Sequence, residues 1–219
     1  MRSLVEAVAN DFGGQFKSAT VATVISNNPD AKGLDYASQA SIAAQTINHR
    51  EFPNRDAYEQ ALINAIDACA DWVVLAGYMR ILGDTFVQHY EGRLINIHPS
   101  LLPDYPGLDT HERAIKAQET HAGASVHYVT PELDAGPVIL QARVAIKKTD
   151  NANELAARVL AQEHKIYPIA LRWLLQGDIS LHHNTGRAHC AWRGQRMETP
   201  FTLENLPVER PGSLSLIHI

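Results

Sequence analysis

Two polar side chains that could act on a substrate interrupt a short apolar segment in the middle of the chain. Residues Leu94 to Ile97 predict a strand that ends at Pro99, because proline has no N–H to donate to a neighbouring strand. Side chains alternate along a strand, so Asn96 and His98 point to the same side of it. In open α/β sheets ligands bind at the carboxyl ends of strands, where an amide and an imidazole could donate hydrogen bonds to a developing oxyanion. The alternative is a core histidine bonded to backbone, beside an asparagine that caps the turn.

A third polar group lies in the loop Leu133–Pro137, which contains Asp134. Aspartate, glycine and proline together are typical of a plain turn, which is the alternative interpretation. The strand before this loop places Ser125 and His127 alternately among apolar residues. A carboxylate beside His98 would favour the protonated imidazole and hold it ready to donate to an oxyanion.

The elements that must position these residues alternate between strands and helices. Apolar, β-branched runs predict strands at 20–25, 42–47, 72–77, 94–98, 124–130 and 138–146, of which 20–25 and 72–77 read as buried. Apolar spacing predicts helices at 31–38, 55–70, 83–90, 110–120 and 153–176. This order predicts a three-layer α/β fold, Rossmann-like, with a mainly parallel sheet.

The chain begins with a helix where a Rossmann-like sheet would begin with a strand. Apolar residues within 4–12 recur at helical spacing, and Gly13 and Gly14 close the helix. No strand and no glycine-rich loop that could hold a phosphate precede it in the sequence. We therefore interpret Met1 as an internal methionine and expect the sheet to lack its first, central strand.

Composition limits the class of protein. The 219 residues suit one domain with a tail, and the formal charge of -5 without a lysine or arginine block argues against sequence-independent nucleic-acid binding. Cys69 and Cys190 are far apart and form no CxxC pair, so neither a disulfide framework nor a metal site is predicted. The start does not resemble a signal peptide, and the longest apolar run is too short to span a membrane. These features predict a soluble, cytoplasmic protein.

The chain is predicted to end in a hairpin and a polar tail. The hairpin would pair Ile179–His183 with Cys190–Met197. We assign residues 1–183 to the main domain, 184–213 to the C-terminal hairpin and tail, and 214–219 to translated sequencing adapter. The alternative for 214–219 is an ordinary apolar C-terminus.

Several motifs, in matching order from about residue 20 to 197, resemble the family of glycinamide ribonucleotide (GAR) formyltransferases. They are Leu75–Leu82, Asn96–Pro103, Tyr105–Leu108, Ser125–Thr130, Leu133–Gln141 and Gln162–His164 with Tyr167 and Pro168. The resemblance implies transfer of the formyl group of 10-formyltetrahydrofolate, a co-substrate, to the amine of GAR in purine synthesis. It implies a catalytic triad of Asn96, His98 and Asp134, with neither a metal nor a covalent intermediate.

The resemblance also implies binding residues. Those expected to bind folate are Arg55, Met79, Arg80, Ile81, Leu82, Asn96, Val129 and Thr130. Pro99 and Glu163 are expected to contact the ribonucleotide. The alternatives are a loop over the core for 79–82, a solvated arginine at the start of a helix for Arg55, and a surface carboxylate for Glu163. Tyr78 and Ala135 depart from the family, which more often has phenylalanine and a second glycine there.

The same resemblance accounts for the front of the chain. The family opens with a strand and a Gly-Ser-Asn loop that binds the substrate phosphate, and Met1–Leu4 looks like the segment directly after that loop. We expect these 219 residues alone to be impaired in GAR binding. The expected partners are small molecules, with no nucleic acid and no membrane, and the expected state is a monomer or weak homodimer.

Other functions stay open. Methionyl-tRNA formyltransferases are similar over this core but usually carry a further C-terminal domain, for which no room remains after residue 183. Formyltetrahydrofolate deformylases are similar too, although histidine and phenylalanine usually flank their serine in place of Pro99 and Leu101. A third alternative is a non-catalytic folate-binding fragment, because a gap in the sheet would expose the edges of its neighbours.

Overall fold

The computed structural model describes residues 1–10, 12, 19–184 and 186–207. Its helices are α1 (Arg2–Ala9), α2 (Lys32–Gln39), α3 (Arg55–Asp67), α4 (Asp84–His89), α5 (Thr110–Lys116) and α6 (Ala152–Leu175), with a short 3-10 helix at His49–Glu51. Its strands are β1 (Thr23–Ser26), β2 (Ala43–Thr46), β3 (Val73–Leu75), β4 (Leu94–His98), β5 (His121–Tyr128), β6 (Val138–Ala145), β7 (Ile179–Asn184), β8 (Arg187–Trp192), β9 (Gln195–Arg196) and β10 (Phe201–Thr202). No helix among the described residues is long and apolar enough to cross a membrane.

The largest sheet has five strands in the order β10-β6-β5-β4-β3. Parallel pairs join β3 to β4 and β6 to β10, whereas β4–β5 and β5–β6 are antiparallel. With the parallel pair β1–β2, three of these five pairs are parallel. The predicted mainly parallel α/β fold is therefore confirmed, with an antiparallel part that the alternation of strands and helices did not indicate.

Helices cover both faces of this sheet, and strand β4 shows why. Successive side chains of a strand point to opposite faces. Ile95 accordingly packs in a core formed with α1 and α6, whereas the adjacent Leu94 packs in a second core with α3 and α4. Helix α6 is anchored at its start by a capping box, in which Asn151 and Glu154 bond each other's backbone N–H groups. The site strand is therefore held between two helical layers.

A cleft of about 450 Å³ separates β1 from β3. Its walls include the apolar side chains of Leu4, Val8, Leu171 and Leu175, from helices α1 and α6. Among the described residues, β1 pairs with β2 and neither belongs to the five-stranded sheet. The expectation that the sheet lacks a first, central strand stays a prediction. The cleft explains a wrong prediction: 20–25 and 72–77 read as buried strands, but β1 and β3 are only half-buried because the cleft opens onto them.

A C-terminal hairpin forms, with β7 paired to β8 and a further short pairing to β9. Its second arm is Arg187–Trp192, and the predicted arm Cys190–Met197 was wrong because β8 starts earlier, directly after the turn at Gly186. Strand β7 continues through Asn184, the residue at which the predicted tail begins, and β10 joins the main sheet beside β6. Trp173, Trp192 and Phe201 form a cluster with ring centroids 5.0–5.3 Å apart. Residues on both sides of the predicted domain boundary thus share one core. The proposed helix end at Gly13 and Gly14 and the proposed adapter segment 214–219 lie outside the described residues.

Candidate active site

Asn96 and His98 lie where the sequence placed them, at the carboxyl end of β4. The antiparallel register sets Asn96 opposite His127 and His98 opposite Ser125. Asn96 is half-buried, and His98 is buried with 5% of its surface exposed. Both side chains are therefore largely shielded from bulk water, which strengthens any hydrogen bond they make to a substrate.

Asp134 approaches this pair from the loop between β5 and β6. Its backbone is left-handed, with φ of 51°, and its Oδ2 accepts a hydrogen bond from the Gly107 N–H at 2.8 Å. Two residues on, Gly136 lies so close to β5 that a Cβ there would be 1.8 Å from the Tyr128 carbonyl oxygen. Only glycine fits at that point, so the loop lies close to β5 and brings the carboxylate to the site.

The His98 ring lies between two acceptors. Its Nε2–H donates to the Tyr105 carbonyl oxygen at 2.9 Å, and its Nδ1 lies 3.4 Å from Asp134 Oδ2. Each ring nitrogen thus has an oxygen acceptor near it, so a proton on either nitrogen would face an acceptor. Because 3.4 Å is longer than a good hydrogen bond, the Nδ1–H can donate to a substrate oxygen placed beside Asp134. The structure therefore brings the three predicted residues close together, and their catalytic role stays a prediction.

His127 is a site residue that the sequence reasoning noted without assigning a role. Its Nδ1–H donates to the Tyr128 carbonyl oxygen at 2.9 Å, and burial lowers its pKa to about 4. The neutral ring consequently accepts at Nε2, which lies 3.3 Å from Asn96 Nδ2. This contact orients the Asn96 amide and leaves its second N–H free to face a substrate. The sequence feature that pointed to His127 was its alternation with Ser125 along the predicted strand. Its position opposite Asn96 follows only from the β4–β5 register.

The neutral state of His127 predicts a pH effect on stability. The pKa of His127 is about 4 in the folded chain and near 6.5 when unfolded, so the unfolded state takes up a proton first as the pH falls. We expect the free energy of unfolding to fall between pH 6.5 and pH 4, by roughly 3 kcal/mol from this residue alone. His127→Gln has no group there that can be protonated, so its free energy of unfolding should fall by correspondingly less over the same pH interval. Urea unfolding at each pH measures this. His182→Gln changes an exposed histidine and is the matched control. Its free energy of unfolding should show the same pH dependence as that of the unaltered chain. Parallel curves for the original chain and His127→Gln would contradict the assignment.

The loop that follows His98 is held by Ser125 and Gln141. The Ser125 hydroxyl donates to the Ser100 carbonyl oxygen at 2.7 Å and accepts the Leu102 N–H at 3.0 Å. Gln141 Nε2–H donates to the Leu102 carbonyl oxygen at 2.9 Å. These contacts satisfy buried backbone groups of the loop and so keep Tyr105 in place to accept from His98.

A pocket of about 90 Å³ opens beside Asn96 and Asp134. Six of the residues predicted to bind folate line it: Arg80, Ile81, Leu82, Asn96, Val129 and Thr130. Leu75, Tyr78, Val87 and Leu133 supply further apolar surface. Apolar walls with a few convergent polar groups are typical of ligand sites, although this pocket is smaller than the usual range of about 300–1,000 Å³.

Four predicted binding residues are not brought into this pocket. Met79 is 79% exposed, and Arg55 lies at the start of α3 with 53% of its side chain exposed. Pro99 lines a separate cavity of about 140 Å³ together with residues of the loop after β4 and of α5, and its carbonyl oxygen accepts from Thr110 at 2.8 Å. Glu163 is half-buried on α6, where burial raises its pKa and the Met1 amino group opposes this. Their expected contacts with substrates stay predictions.

The described residues contain no group of three or more histidine, cysteine, aspartate or glutamate side chains that could hold a metal ion. His98, His127 and Asp134 do lie near one another, with Asp134 oxygens 3.4 Å from His98 Nδ1 and 3.8 Å from His127 Nε2. His127 cannot turn a free lone pair toward that point while it accepts from Asn96. The arrangement suits hydrogen bonding and proton transfer.

Comparison with known proteins agrees with this geometry. Residues 3–171 match the family described as formyl transferase. A phosphoribosylglycinamide formyltransferase of Escherichia coli (strain K12) is 51% identical over 180 residues, which are 81% of this chain and 82% of that protein. One of Bacillus subtilis (strain 168) is 36% identical over 171 residues, or 78% of this chain and 88% of its own. The solved phosphoribosylglycinamide formyltransferase of Coxiella burnetii superposes with a TM-score of 0.82 at 45% identity, covering 91% of this chain and 92% of that one.

Proposed function

This chain belongs to the formyl transferase family, and we propose that it transfers the formyl group of 10-formyltetrahydrofolate to the amine of GAR in purine biosynthesis. One observation carries the proposal: Asn96, His98 and Asp134 meet at the end of β4, beside the pocket that six predicted folate residues line. The names of the similar proteins from Escherichia coli and Bacillus subtilis support the choice of acceptor.

The proposed chemistry is acyl transfer through a tetrahedral intermediate. The GAR amine attacks the formyl carbon, which forms a new C–N bond and moves an electron pair onto the formyl oxygen. The Asn96 amide and the protonated His98 donate hydrogen bonds to that oxyanion. The bond to folate N10 then breaks as the oxyanion collapses. The amine proton passes to N10, with Asp134 or a water held by it as the carrier.

The pocket accounts for folate recognition in this proposal. Ile81, Leu82 and Val129 supply an apolar wall for the pterin, and backbone groups of Arg80 to Leu82 are available to its polar edge. Thr130 and Asn96 line the same pocket as Asp134. Arg55 would contact the tail of the folate, and Met79 belongs to the stretch 79–82 proposed to hold the pterin. Pro99 and Glu163 would contact the ribonucleotide.

The remaining proposals concern binding partners, cellular location and oligomeric state. Both partners of the reaction are small molecules, and the formal charge of -5 supports the absence of a nucleic-acid partner. We propose that the chain works in the cytoplasm as a monomer or weak homodimer. Sedimentation velocity at micromolar concentration would measure the oligomeric state.

The test is formyl transfer from 10-formyldideazafolate to GAR, followed by absorbance. We expect turnover only when both substrates are present, with the product formyl-GAR identified by mass spectrometry. Omission of GAR is the matched control. Release of formate without GAR would instead indicate a deformylase. Binding of the folate analogue without turnover, also after a strand is added in front of Met1, would indicate a binding module and contradict the proposal.

A further inference from the structure

Glu59 is a buried carboxylate that the proposed chemistry does not use. It lies on α3 next to Tyr58, and both side chains are almost fully buried, with 4% and 2% of their surfaces exposed. Acidic side chains are rarely buried unless they are paired or accept hydrogen bonds from fixed donors. The partners of Glu59 therefore indicate what the residue does.

One partner, Gly83, directly follows the pocket loop 78–82, and the other, Arg55, lies one turn earlier on α3. Glu59 Oε1 accepts a hydrogen bond from the Gly83 N–H at 2.8 Å, and it lies 3.9 Å from the Arg55 guanidinium. Gly83 is the N-cap of α4 and supplies no side chain to cap that helix. The carboxylate thus satisfies a backbone donor at the point where the loop 78–82 joins α4.

The close fit between Glu59 and Gly83 supports a specific contact. A Cβ at Gly83 would lie 2.7 Å from Glu59 Oε2 and 3.3 Å from Arg55 Nε. The backbone of Gly83 has φ of -77°, which any residue can adopt, so the restriction comes from space and not from conformation. The carboxylate and the loop end therefore sit in contact with no side chain between them.

The other end of the same loop is also held by α3. Tyr78 packs against the core cluster that contains Tyr58, and burial beside that tyrosine raises the pKa of Tyr78. The Arg80 guanidinium carbon lies 5.9 Å from the centre of the Tyr58 ring. Adjacent residues of one helix thus hold both ends of the loop, while Arg80 and Ile81 between them face the pocket or solvent.

We infer that Glu59 is a positioning residue for folate: its carboxylate fixes the end of the loop 78–82 and thereby sets folate affinity without touching the reacting atoms. The inference rests on the proposed function, because it assigns that loop to folate. Glu59 acts chiefly as a hydrogen-bond acceptor, so an amide oxygen at the same position preserves much of its effect. It also lies 3.9 Å from Arg55, the residue predicted to meet the folate tail.

The test compares Glu59→Ala and Glu59→Gln with the matched control Gln60→Ala. Gln60 is the next residue of α3, is exposed, and donates only to Asn64. We expect Glu59→Ala to raise both the KM and the Kd for 10-formyldideazafolate about tenfold, because a buried N–H loses its acceptor. In Glu59→Ala the kcat and the KM for GAR should stay within about twofold of the values of the unaltered chain. In Glu59→Gln the KM and the Kd for the folate analogue should stay within about threefold of those values.

Trypsin cleavage after the exposed Arg80 supplies a readout that does not depend on turnover. Glu59→Ala should be cleaved faster there than the original chain or Gln60→Ala, and a bound folate analogue should slow the cleavage. If no variant transfers formyl groups, the proposed function fails, while folate Kd and cleavage rate still decide the role of Glu59. An unchanged folate Kd, an equal rise in the KM values of both substrates, or a Glu59→Gln variant as weak as Glu59→Ala would overturn the inference.

A second variant covers the case in which Glu59→Ala does not fold. Gly83→Ala keeps the carboxylate but places a Cβ 2.7 Å from Glu59 Oε2, so the loop end must move. It should weaken folate binding by a similar factor, again with little change in kcat. Original affinity in Gly83→Ala would likewise count against the inference.

Discussion

Replacing His98 by alanine is expected to lower kcat for formyl transfer by roughly 100- to 1,000-fold. His98 Nδ1 lies 3.4 Å from Asp134, and the ring is held from behind by the Tyr105 carbonyl oxygen. The variant loses the proposed imidazole donor to the oxyanion but keeps the pocket walls. We therefore expect the KM for the folate co-substrate to change by less than about threefold, since this donor acts mainly in the transition state.

Steady-state kinetics of His98→Ala, Asn96→Ala and the double variant would measure this effect. Two donors that act on the same oxyanion should be non-additive, so the double variant should lose much less than the product of the single losses. His182→Ala, at an exposed histidine of β7, is the control and should keep the original kcat. A loss below tenfold in His98→Ala would remove His98 from the proposed mechanism.

Extending the chain in front of Met1 by an apolar strand and a Gly-Ser-Asn loop is expected to raise both stability and GAR affinity. Strands β1 and β3 leave their facing edges beside a cleft of about 450 Å³, and its apolar walls come from α1 and α6. An inserted strand would pair with both edges and bury several apolar side chains. After subtracting the entropy cost of ordering the added segment, we expect the free energy of unfolding to rise by about 3 kcal/mol, which corresponds to roughly 10 °C in Tm.

The loop after that strand would lead directly into α1, whose first-turn N–H groups could meet a substrate phosphate. We therefore expect GAR to bind at least about tenfold more tightly in the extended chain. An extension of equal length made of glycine and serine is the matched control, because it cannot fill the cleft. Calorimetric unfolding and isothermal titration with GAR would measure both effects. Equal Tm values for the two extended chains would contradict this use of the cleft.

Much of the candidate site could be predicted from local sequence. Alternation along a strand placed Asn96 and His98 on one side of β4, and Pro99 marked its end. The turn residues around Asp134 indicated a loop between two strands, as found. These features depend on residues within a few positions of one another, so backbone periodicity and turn chemistry are enough to determine them.

Distances between separate segments were decided by the tertiary structure alone. The register of β4 against β5 set His127 opposite Asn96, and the close approach of Gly136 to β5 brought Asp134 to His98. Packing on α3 left Met79 outside the pocket that its neighbours line. The sequence by itself determined which side chains each strand and turn would present. Which of them meet depends on strand register and helix packing, which join residues far apart in the chain and leave no periodic signal in it.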